Sequence, residues 1–424
     1  MDTVFRLDNG LKVILRPIGV PNVSVWVGYR VGSRNEVPGM TGSTHWVEHM
    51  LFKGGGKLAK GDIDRIVSGL GGKFNAMTDF DATMYFETLP AEHLETALFI
   101  ESERMRNAAF DPKEVEAERT VVISEREGAE NQPDFLVEEE LWAMGFHIHP
   151  YHWTPIGFKQ DLQNLGRDAL YRHYLNWYAP NNATLVLVGG MDVDSASSLV
   201  RRFFAGLKPE TTPSSASLTE PAQSGPRRSV IERPGAVDLL AVGQKVPSFV
   251  HADTPALAVL AGILGGWRGL FPFMAGDTRL RDHRLHRALV DAKLATDVGV
   301  RMNPNIDPSL LTTSATIRNG VPGARAEAAI AQEFDRIALR APPKSEVDRV
   351  LRQAQAWDAY DRDGVTFQGL AMTYFDCIAA PDAGERFMAA VARTTPEDVR
   401  RVARAYLGES SRTVVEFHAQ GEPT

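Results

Sequence analysis

The sequence has little cysteine, no excess of positive charge and no long apolar run, and each absence argues against a class of protein. Cys377 is the single cysteine in 424 residues, so no intramolecular disulfide can form, and its mixed surroundings favour a small core residue over a catalytic thiol. Lys and Arg number 46 against 54 Asp and Glu, which argues against a nucleic-acid partner. No stretch approaches the ~18 apolar residues of a membrane span.

The remaining composition is that of a globular protein. Hydrophobic residues make up 43% of the chain and charged residues 24%, enough for cores in about two or three domains. The first residues show no basic region followed by an apolar stretch, as a secretory signal would. We therefore predict a cytoplasmic protein without a membrane partner, or a periplasmic one if a leader has been removed.

A Pro- and Ser-rich stretch near the midpoint separates two halves. We predict a first domain at 1–207, a linker at 208–228 and a second domain at 229–424. Within the linker, Pro, Ser, Thr and charged residues take the place of the apolar periodicity seen on either side.

The two halves share a pattern. In each, an alternating strand leads through a loop to a helical stretch ending at a Gly pair, at 54–55 and at 265–266, an offset of 265 − 54 = 211. A helix end, a turn and a strand recur near the end of each half with an offset of 229, and the irregular stretch 267–282 is predicted to hold much of the insertion. The repeats predict an α+β fold of two homologous domains.

Two histidines and a glutamate in the first helical stretch have the spacing of a metal site. His45, Glu48 and His49 occupy positions i, i+3 and i+4, so both imidazoles and the carboxylate share one helix face. Two nitrogen ligands beside a carboxylate suit a catalytic zinc ion, and H-x-x-E-H is a known metallopeptidase pattern. The pentapeptide alone also fits a helix with two partly buried histidines.

A later helix offers a third ligand. Asp111 followed by proline is typical of a helix start. Glu118 and Glu125 are seven residues apart and so share one face, accompanied by Val121 and Val122. Carboxylates on an apolar face need compensation. Zinc supplies it for Glu125, and a histidine ring or a substrate amine for Glu118.

These motifs resemble the signature of the M16, or pitrilysin-type, metallopeptidases. In that family H-x-x-E-H is followed after about 76 residues by a ligand glutamate in an E-R-x5-E helix; here the interval from His49 to Glu125 is 125 − 49 = 76, and Glu118-Arg119 has the E-R position. The segment 71–78, GGKFNAMT, resembles the strand signature of the family. The resemblance covers the whole chain and is to the two-domain bacterial M16B type.

The resemblance implies a fold, a reaction and a site. Each domain is expected to be a mainly antiparallel sheet flanked by helices, the second closing the substrate cavity without binding metal. The expected activity is a zinc-dependent endopeptidase acting on peptides or on unfolded, presequence-like polypeptides. The expected zinc ligands are His45, His49 and Glu125, with Glu48 as general base and Glu118 orienting a ligand or substrate.

An edge strand is expected to bind the substrate. By the same resemblance, Phe74, Asn75 and Ala76 lie along an extended peptide that adds to the sheet as another strand, so affinity need not depend on peptide sequence.

Two histidine-rich or repeated segments are predicted to bind no metal. At the 211 offset Ala256, Val259 and Leu260 stand opposite His45, Glu48 and His49, so the second domain lacks a site of its own. The segment 146–153 holds three histidines in six residues, and its interleaved Pro and aromatic residues favour an ordered turn over a second metal site.

One departure from the family concerns the second domain. Many members carry an Arg and a Tyr there in a segment resembling L-R-E-K-x-G-L-x-Y, where this chain has Val290 and Thr296. The resemblance therefore implies a homologous partner subunit that supplies the Arg and Tyr in a heterodimer, or a homodimer; Arg284 or Arg287 is the alternative within this chain.

Two other functions stay open. A non-catalytic peptide-binding scaffold is one, although such members usually lose a ligand or the base. A zinc amidohydrolase is the other, and it would not explain the duplication or the strand signature.

Overall fold

The computed structural model describes residues 2–213, 218–271 and 280–421, which form two compact units. Unit 1 comprises Met1–Glu127, Trp153–Ser217 and Asp361–Ala383, and unit 2 comprises Gly128–His152, Leu218–Tyr360 and Gly384–Thr424. Residues 214–217 of the predicted linker and 272–279 of the predicted insertion lie outside the described residues.

The strands and helices follow a similar, though not identical, order in the two halves. The strands are β1 (Thr3–Arg6), β2 (Lys12–Pro17), β3 (Asn22–Tyr29), β4 (Lys73–Thr78), β5 (Thr83–Pro90), β6 (Ala183–Gly189), β7 (Arg227–Pro234), β8 (Leu239–Val246), β9 (Ala295–Met302), β10 (Ser309–Ile317) and β11 (Arg412–Gln420). The α-helices are α1 (Ser43–Met50), α2 (Asp62–Gly69), α3 (Leu94–Asn107), α4 (Pro112–Glu130), α5 (Pro133–Gly145), α6 (Lys159–Asn164), α7 (Arg167–Trp177), α8 (Val193–Phe204), α9 (Thr254–Gly265), α10 (Gly323–Leu339), α11 (Lys344–Asp361), α12 (Val365–Ile378), α13 (Ala383–Val391) and α14 (Pro396–Tyr406).

Each unit is built on one mainly antiparallel sheet. The strand order is β1-β2-β6-β3-β5-β4 in unit 1 and β7-β11-β8-β10-β9 in unit 2. A single parallel pair occurs in each, β2 with β6 and β7 with β11. The central strands β3 and β6 are almost wholly buried, as expected of strands covered on both faces. The predicted two-domain α+β fold is confirmed.

The offsets between repeated elements match those read from the sequence. Helices α1 and α9 begin 254 − 43 = 211 residues apart, while α7 and α14 begin 396 − 167 = 229 apart, as do β6 and β11. The sheet orders correspond strand by strand once β1 is set aside. The internal duplication therefore extends to topology.

Each unit also takes one helix from the opposite half of the chain. Helix α12 packs on β3 and β6 in unit 1, and α5 packs on β8 and β11 in unit 2. The boundaries 1–207, 208–228 and 229–424 follow the repeat along the chain and stay a prediction; they do not include this exchange.

Helix α12 is held in unit 1 by a buried carboxylate. Asp376, 4% exposed, accepts hydrogen bonds from Arg30 Nη2 at 2.7 Å and from Thr184 Oγ1 at 2.5 Å, and it forms an ion pair with Lys12. The close approach of α12 to β3 requires glycine at position 28, because a Cβ there would lie 2.4 Å from Thr373 Cγ2. The charge pairing therefore fixes the helix directly against the central strands.

The single cysteine and the apolar content of the helices agree with the sequence predictions. Cys377 is buried in α12, and burial raises the pKa of its thiol to about 12, as expected of a core residue and not a nucleophile. In the described ranges no helix is both long enough and apolar enough to cross a bilayer. The cytoplasmic location stays a prediction.

Replacing the anchor of α12 should destabilise unit 1. Asp376→Asn leaves Arg30 and Lys12 facing a neutral group, and we expect it to lower the free energy of unfolding by about 2–4 kcal/mol. The exposed Asp363→Asn, close by in sequence, should change it by less than about 0.5 kcal/mol. Urea unfolding followed by tryptophan fluorescence measures both, and equal midpoints for the two variants would contradict the assignment.

Candidate metal centre

Helix α1 is held at its N-terminus by a buried carboxylate from the preceding loop. Glu36 accepts hydrogen bonds from the backbone N–H groups of Gly42 at 2.9 Å and Thr44 at 2.7 Å, which satisfies groups that a helix start leaves without partners. Burial raises the pKa of Glu36 to about 8, against the opposing effect of these hydrogen bonds. Trp46 and Val47 are wholly buried in the core. The opposite face of α1 carries His45, Glu48 and His49.

Helix α4 begins where the sequence predicts. The side chain of Asp111 accepts from the backbone N–H of Lys113 at 2.8 Å, as a cap does. Glu118 is 4% exposed and Val122 is buried, whereas the Glu125 side chain is 45% exposed. Val121 was expected beside Val122 on the apolar face, but it is 42% exposed, so that part of the prediction is wrong. The 100° turn per residue places it on the outer edge of that face.

Arg119 joins α4 to α1, a role the sequence reasoning did not assign. Its guanidinium lies 4.9 Å from the ring centroid of Trp46, the residue that follows His45. It also donates hydrogen bonds to the backbone carbonyls of Leu162 at 2.6 Å and Leu165 at 2.8 Å. These contacts set the distance between the two helices that carry the predicted ligands.

Three predicted ligand atoms converge between α1 and α4. His45 Nε2 lies 3.2 Å from His49 Nε2, and Glu125 Oε2 lies 3.8 Å and 3.5 Å from them respectively. Zinc bonds of about 2.0–2.2 Å place the ligands of a tetrahedral site about 3.3–3.6 Å apart. The three atoms thus have the spacing, and the N₂O donor set, that a catalytic zinc ion needs.

The protonation states also suit a cation. Burial, and then the neighbouring His49, lower the pKa of His45 to about 3, so its imidazole is neutral and able to ligate. Burial opposes protonation of His49, but the hydrogen bond that His49 donates to Glu118 and the nearby Glu125 and Glu48 carboxylates outweigh it and raise its pKa. The carboxylates around the imidazoles therefore favour a positive charge at this position, which a divalent metal provides.

Glu118 lies behind His49 and not at the convergence point. Its Oε1 is 2.8 Å from His49 Nδ1 and its Oε2 is 2.5 Å from Lys53 Nζ. Burial raises the pKa of Glu118, but the hydrogen bonds from His49 and Lys53 outweigh it and hold the pKa below its usual value. A charged Glu118 accepts the Nδ1 proton and leaves Nε2 with its lone pair toward the metal position. Lys53 was missed by the sequence reasoning.

Glu48 projects from the same face of α1 toward β4. Thr78 Oγ1 donates to Glu48 Oε2 at 2.5 Å. Burial raises the pKa of Glu48 to about 7, against the opposing effect of the Thr78 hydrogen bond, so the carboxyl can both accept and donate a proton near neutral pH. Nothing in the spacing of the sequence connected Thr78 to Glu48.

The residues predicted to bind substrate lie on the edge strand β4, whose one partner among the described strands is β5. The Phe74 ring is partly buried, 5.9 Å from that of Phe52, and Ala76 is also partly buried. Asn75 is exposed. The unpaired side of β4 offers backbone groups to an extended chain.

Unit 2 has no equivalent of this centre in its described part. Ala256, Val259 and Leu260 of α9 are at most 5% exposed. Across the described ranges, His45, His49 and Glu125 form the single group of His, Cys, Asp or Glu side chains arranged to hold a metal. The helix at this position in unit 2 is therefore mostly apolar and mostly buried, whereas α1 is amphipathic.

The histidine-rich turn has structural partners. His149 is 3% exposed, its Nε2 lies 3.0 Å from Asp307 Oδ2, and its Nδ1 accepts the backbone N–H of Tyr151 at 3.1 Å. His152 Nδ1 lies 2.6 Å from the carbonyl oxygen of Phe146. These contacts agree with an ordered turn.

Removing the charge behind His49 should weaken metal binding. Glu118→Gln cannot accept the Nδ1 proton as strongly, so we expect zinc affinity to fall by about 10- to 100-fold. Glu116→Gln is the matched control, since Glu116 is exposed on the same helix and its one ion pair within the described ranges is with Arg119. Competition with a chromogenic chelator gives both affinities, and equal values would show that Glu118 does not support His49.

Comparison with known proteins agrees with this geometry. Residues 13–155 match the model of insulinase (peptidase family M16), and residues 164–354 match that of the peptidase M16 inactive domain. The chain is 36% identical over 267 residues to zinc protease PqqE of Helicobacter pylori, covering 61% of this chain and 60% of that protein.

Two further likenesses extend over nearly the whole chain. It is 24% identical over 444 residues to the mitochondrial-processing peptidase subunit beta of Lentinula edodes, covering 98% of this chain and 89% of that protein. The crystal structure of a protease from Helicobacter pylori superposes with a TM-score of 0.92 at 27% identity, covering 99% of each chain. With both halves matched by models of one family, this chain belongs to the M16 peptidases.

Proposed function

We propose that this chain is a zinc-dependent endopeptidase, with His45, His49 and Glu125 as metal ligands and Glu48 as general base. The convergence of three ligand atoms at 3.2–3.8 Å, with the Glu48 carboxylate on the same helix face, carries the proposal. Zinc proteases among the relatives support the choice of metal. The alignment with PqqE covers 60% of that protein, so its activity comes to this chain only as a proposal.

The substrate is an extended peptide or an unfolded, presequence-like polypeptide. The edge strand β4 binds it through backbone hydrogen bonds, with Asn75 contacting the peptide backbone and Phe74 and Ala76 beside it. The ring of Phe74 is partly buried against Phe52, so its position limits the orientations in which a peptide can lie along β4. Folded proteins present few free strands of this kind, which disfavours them as substrates.

Each group has one task in the reaction. When bound, zinc supplies Lewis acidity to the attacking water and to the scissile carbonyl. Glu48 accepts the proton of the water and then donates it to the leaving amine. Glu118 keeps the tautomer of His49 fixed through Nδ1. Thr78 occupies Oε2 of Glu48, which leaves Oε1 for the proton transfers.

A homologous partner subunit completes the site in a heterodimer by supplying an Arg and a Tyr; in the homodimer alternative, the second copy would have to use other residues, because it also has Val290 and Thr296. Val290 and Thr296 offer no charged or phenolic donor. The two in-chain alternatives are engaged elsewhere: Arg284 Nε is 2.8 Å from Glu346 Oε2, and Arg287 lies 3.3 Å from Asp282 and 3.8 Å from Glu346. Their pairing with carboxylates supports a partner as the source.

The general base can be tested without losing the metal. Glu48→Gln keeps the size of the side chain but cannot accept a proton, so we expect one zinc per chain to remain while kcat/KM falls by about 100-fold or more. Glu127→Gln, exposed and paired with Lys159, should match the wild type in both. Elemental analysis and cleavage of a quenched-fluorescent peptide measure the two quantities. A wild type that binds peptide but never cleaves it would favour the scaffold alternative.

The partner can be tested by supplying the missing groups on this chain. The double variant Val290→Arg, Thr296→Tyr should raise kcat/KM of the isolated chain by about tenfold or more, since a charge-assisted hydrogen bond contributes about 1.5–3 kcal/mol. The Val290→Met, Thr296→Val pair controls for bulk alone. Full wild-type activity as a strict monomer, unchanged by fractions of a lysate from its source, would rule the partner out.

A further inference from the structure

Thr78 ends the edge strand at the point where β4 meets the base. Its hydroxyl donates to Glu48 Oε2 at 2.5 Å, and α1 and β4 pack against each other around this contact. In the described part of the chain Thr78 is the one side chain that hydrogen-bonds to Glu48. The orientation of a side chain with three rotatable bonds thus depends on a single hydroxyl.

We propose that Thr78 is a positioning residue that fixes Glu48 relative to the strand on which the peptide lies. The inference rests on the proposed peptidase function of the same site. Thr78 acts through Glu48: its hydrogen bond to Oε2 turns Oε1 toward the water. Because Thr78 is on the same strand as the residues that bind the peptide, the hydrogen bond also keeps Glu48 at a fixed distance from the scissile bond. The contact thereby connects β4, the strand that binds substrate, to Glu48, the residue on α1 that transfers the proton.

The hydroxyl of Thr78 is itself fixed in direction. A β-branched side chain has few χ1 rotamers, so its backbone determines where the hydroxyl points. Thr78 pairs with Thr83 at the end of the β4–β5 hairpin, and the adjoining turn is closed by the backbone N–H of Asp79, which donates to Ala82 O at 2.9 Å. The hydroxyl of Tyr374 on α12 donates to Asp79 Oδ2 at 3.1 Å. The turn that carries Thr78 is thereby braced from the opposite face of the sheet.

Misorientation of the base affects the chemical step and not the binding of peptide. Removal of the hydroxyl leaves the backbone pairing of β4 with β5 in place, and the side-chain hydrogen bond of Thr78 in the described structure is to Glu48 and not to a metal ligand. We therefore expect loss of kcat with KM and zinc content preserved. A merely structural role would instead lower stability or metal content together with activity.

Two substitutions separate these possibilities. Thr78→Val replaces the hydroxyl by a methyl group of similar shape, and we expect kcat to fall by about tenfold or more with KM within about twofold. Thr78→Ser restores the donor, and its kcat should recover to within about threefold of the wild type. A kcat unchanged in Thr78→Val, a failure of Thr78→Ser to recover it, or a loss of zinc would overturn the proposal.

Thr83→Val is the matched control. Thr83 stands directly across the hairpin, and its hydroxyl donates to the backbone carbonyl of Val31 at 2.9 Å and not to the base. The loss of this buried hydrogen bond lowers stability, but kcat of the folded protein should stay within about twofold of the wild type.

A structural measurement separates this inference from the peptidase function. In zinc-loaded crystals Glu48 should adopt one conformer in the wild type and in Thr78→Ser, and several in Thr78→Val. The conformer count does not depend on hydrolysis. A wild type that cleaves no peptide refutes the proposed function, whereas one unchanged Glu48 conformer in Thr78→Val refutes the role of Thr78.

Discussion

The contact between helices α1 and α4 is the constraint on which the rest of the site depends. One helix supplies both imidazoles and the base, the other supplies the carboxylate ligand, and a shift of about 1 Å would separate atoms that now lie 3.2–3.8 Å apart. Arg119 over Trp46 and Glu118 at His49 are the contacts that set this distance. The residues next to the ligands along the chain are therefore as important as the ligands.

The end of α1 lies over a charge network that is closed to solvent. Arg104, Glu87 and Glu101 have side chains with no exposed area, and the Arg104 guanidinium lies 4.8 Å from the Phe52 ring and 4.7 Å from the Tyr85 ring. Burial, and then the charge of Glu101, raise the pKa of Glu87 well above its usual value, and burial also raises the pKa of Glu101; both carboxyl groups contact the single guanidinium of Arg104. Such a network costs desolvation but allows few arrangements, which fixes the turn after α1 in place.

The duplication shows how one fold can keep its architecture while only one copy keeps its chemistry. Units 1 and 2 share their sheet order, yet α1 presents a polar face and α9 is apolar throughout. Burying a helix on all sides needs no polar partners, whereas a metal face needs a neighbouring helix with carboxylates in register. The fold of each unit also depends on the other half of the chain, because α12 belongs to unit 1 and α5 belongs to unit 2.

The sequence by itself predicted the candidate ligands, the candidate base and the duplication, because these depend on short-range periodicity or on a fixed interval such as 125 − 49 = 76. It predicted the edge strand only through the resemblance of segment 71–78 to a family signature. It did not determine which polar groups lie behind those residues. Thr78 reaches Glu48 across 30 positions, Lys53 meets Glu118 across 65, and Asp376 joins Arg30 across 346. Contacts at such separations leave no periodic trace in a single sequence. The exposure of Val121 was also decided by tertiary packing, because a residue at the edge of a helical face is buried only if another element packs against that edge. The sheets on which α5 and α12 pack were also decided by tertiary contacts, because each helix packs in the unit formed mainly by the other half of the chain.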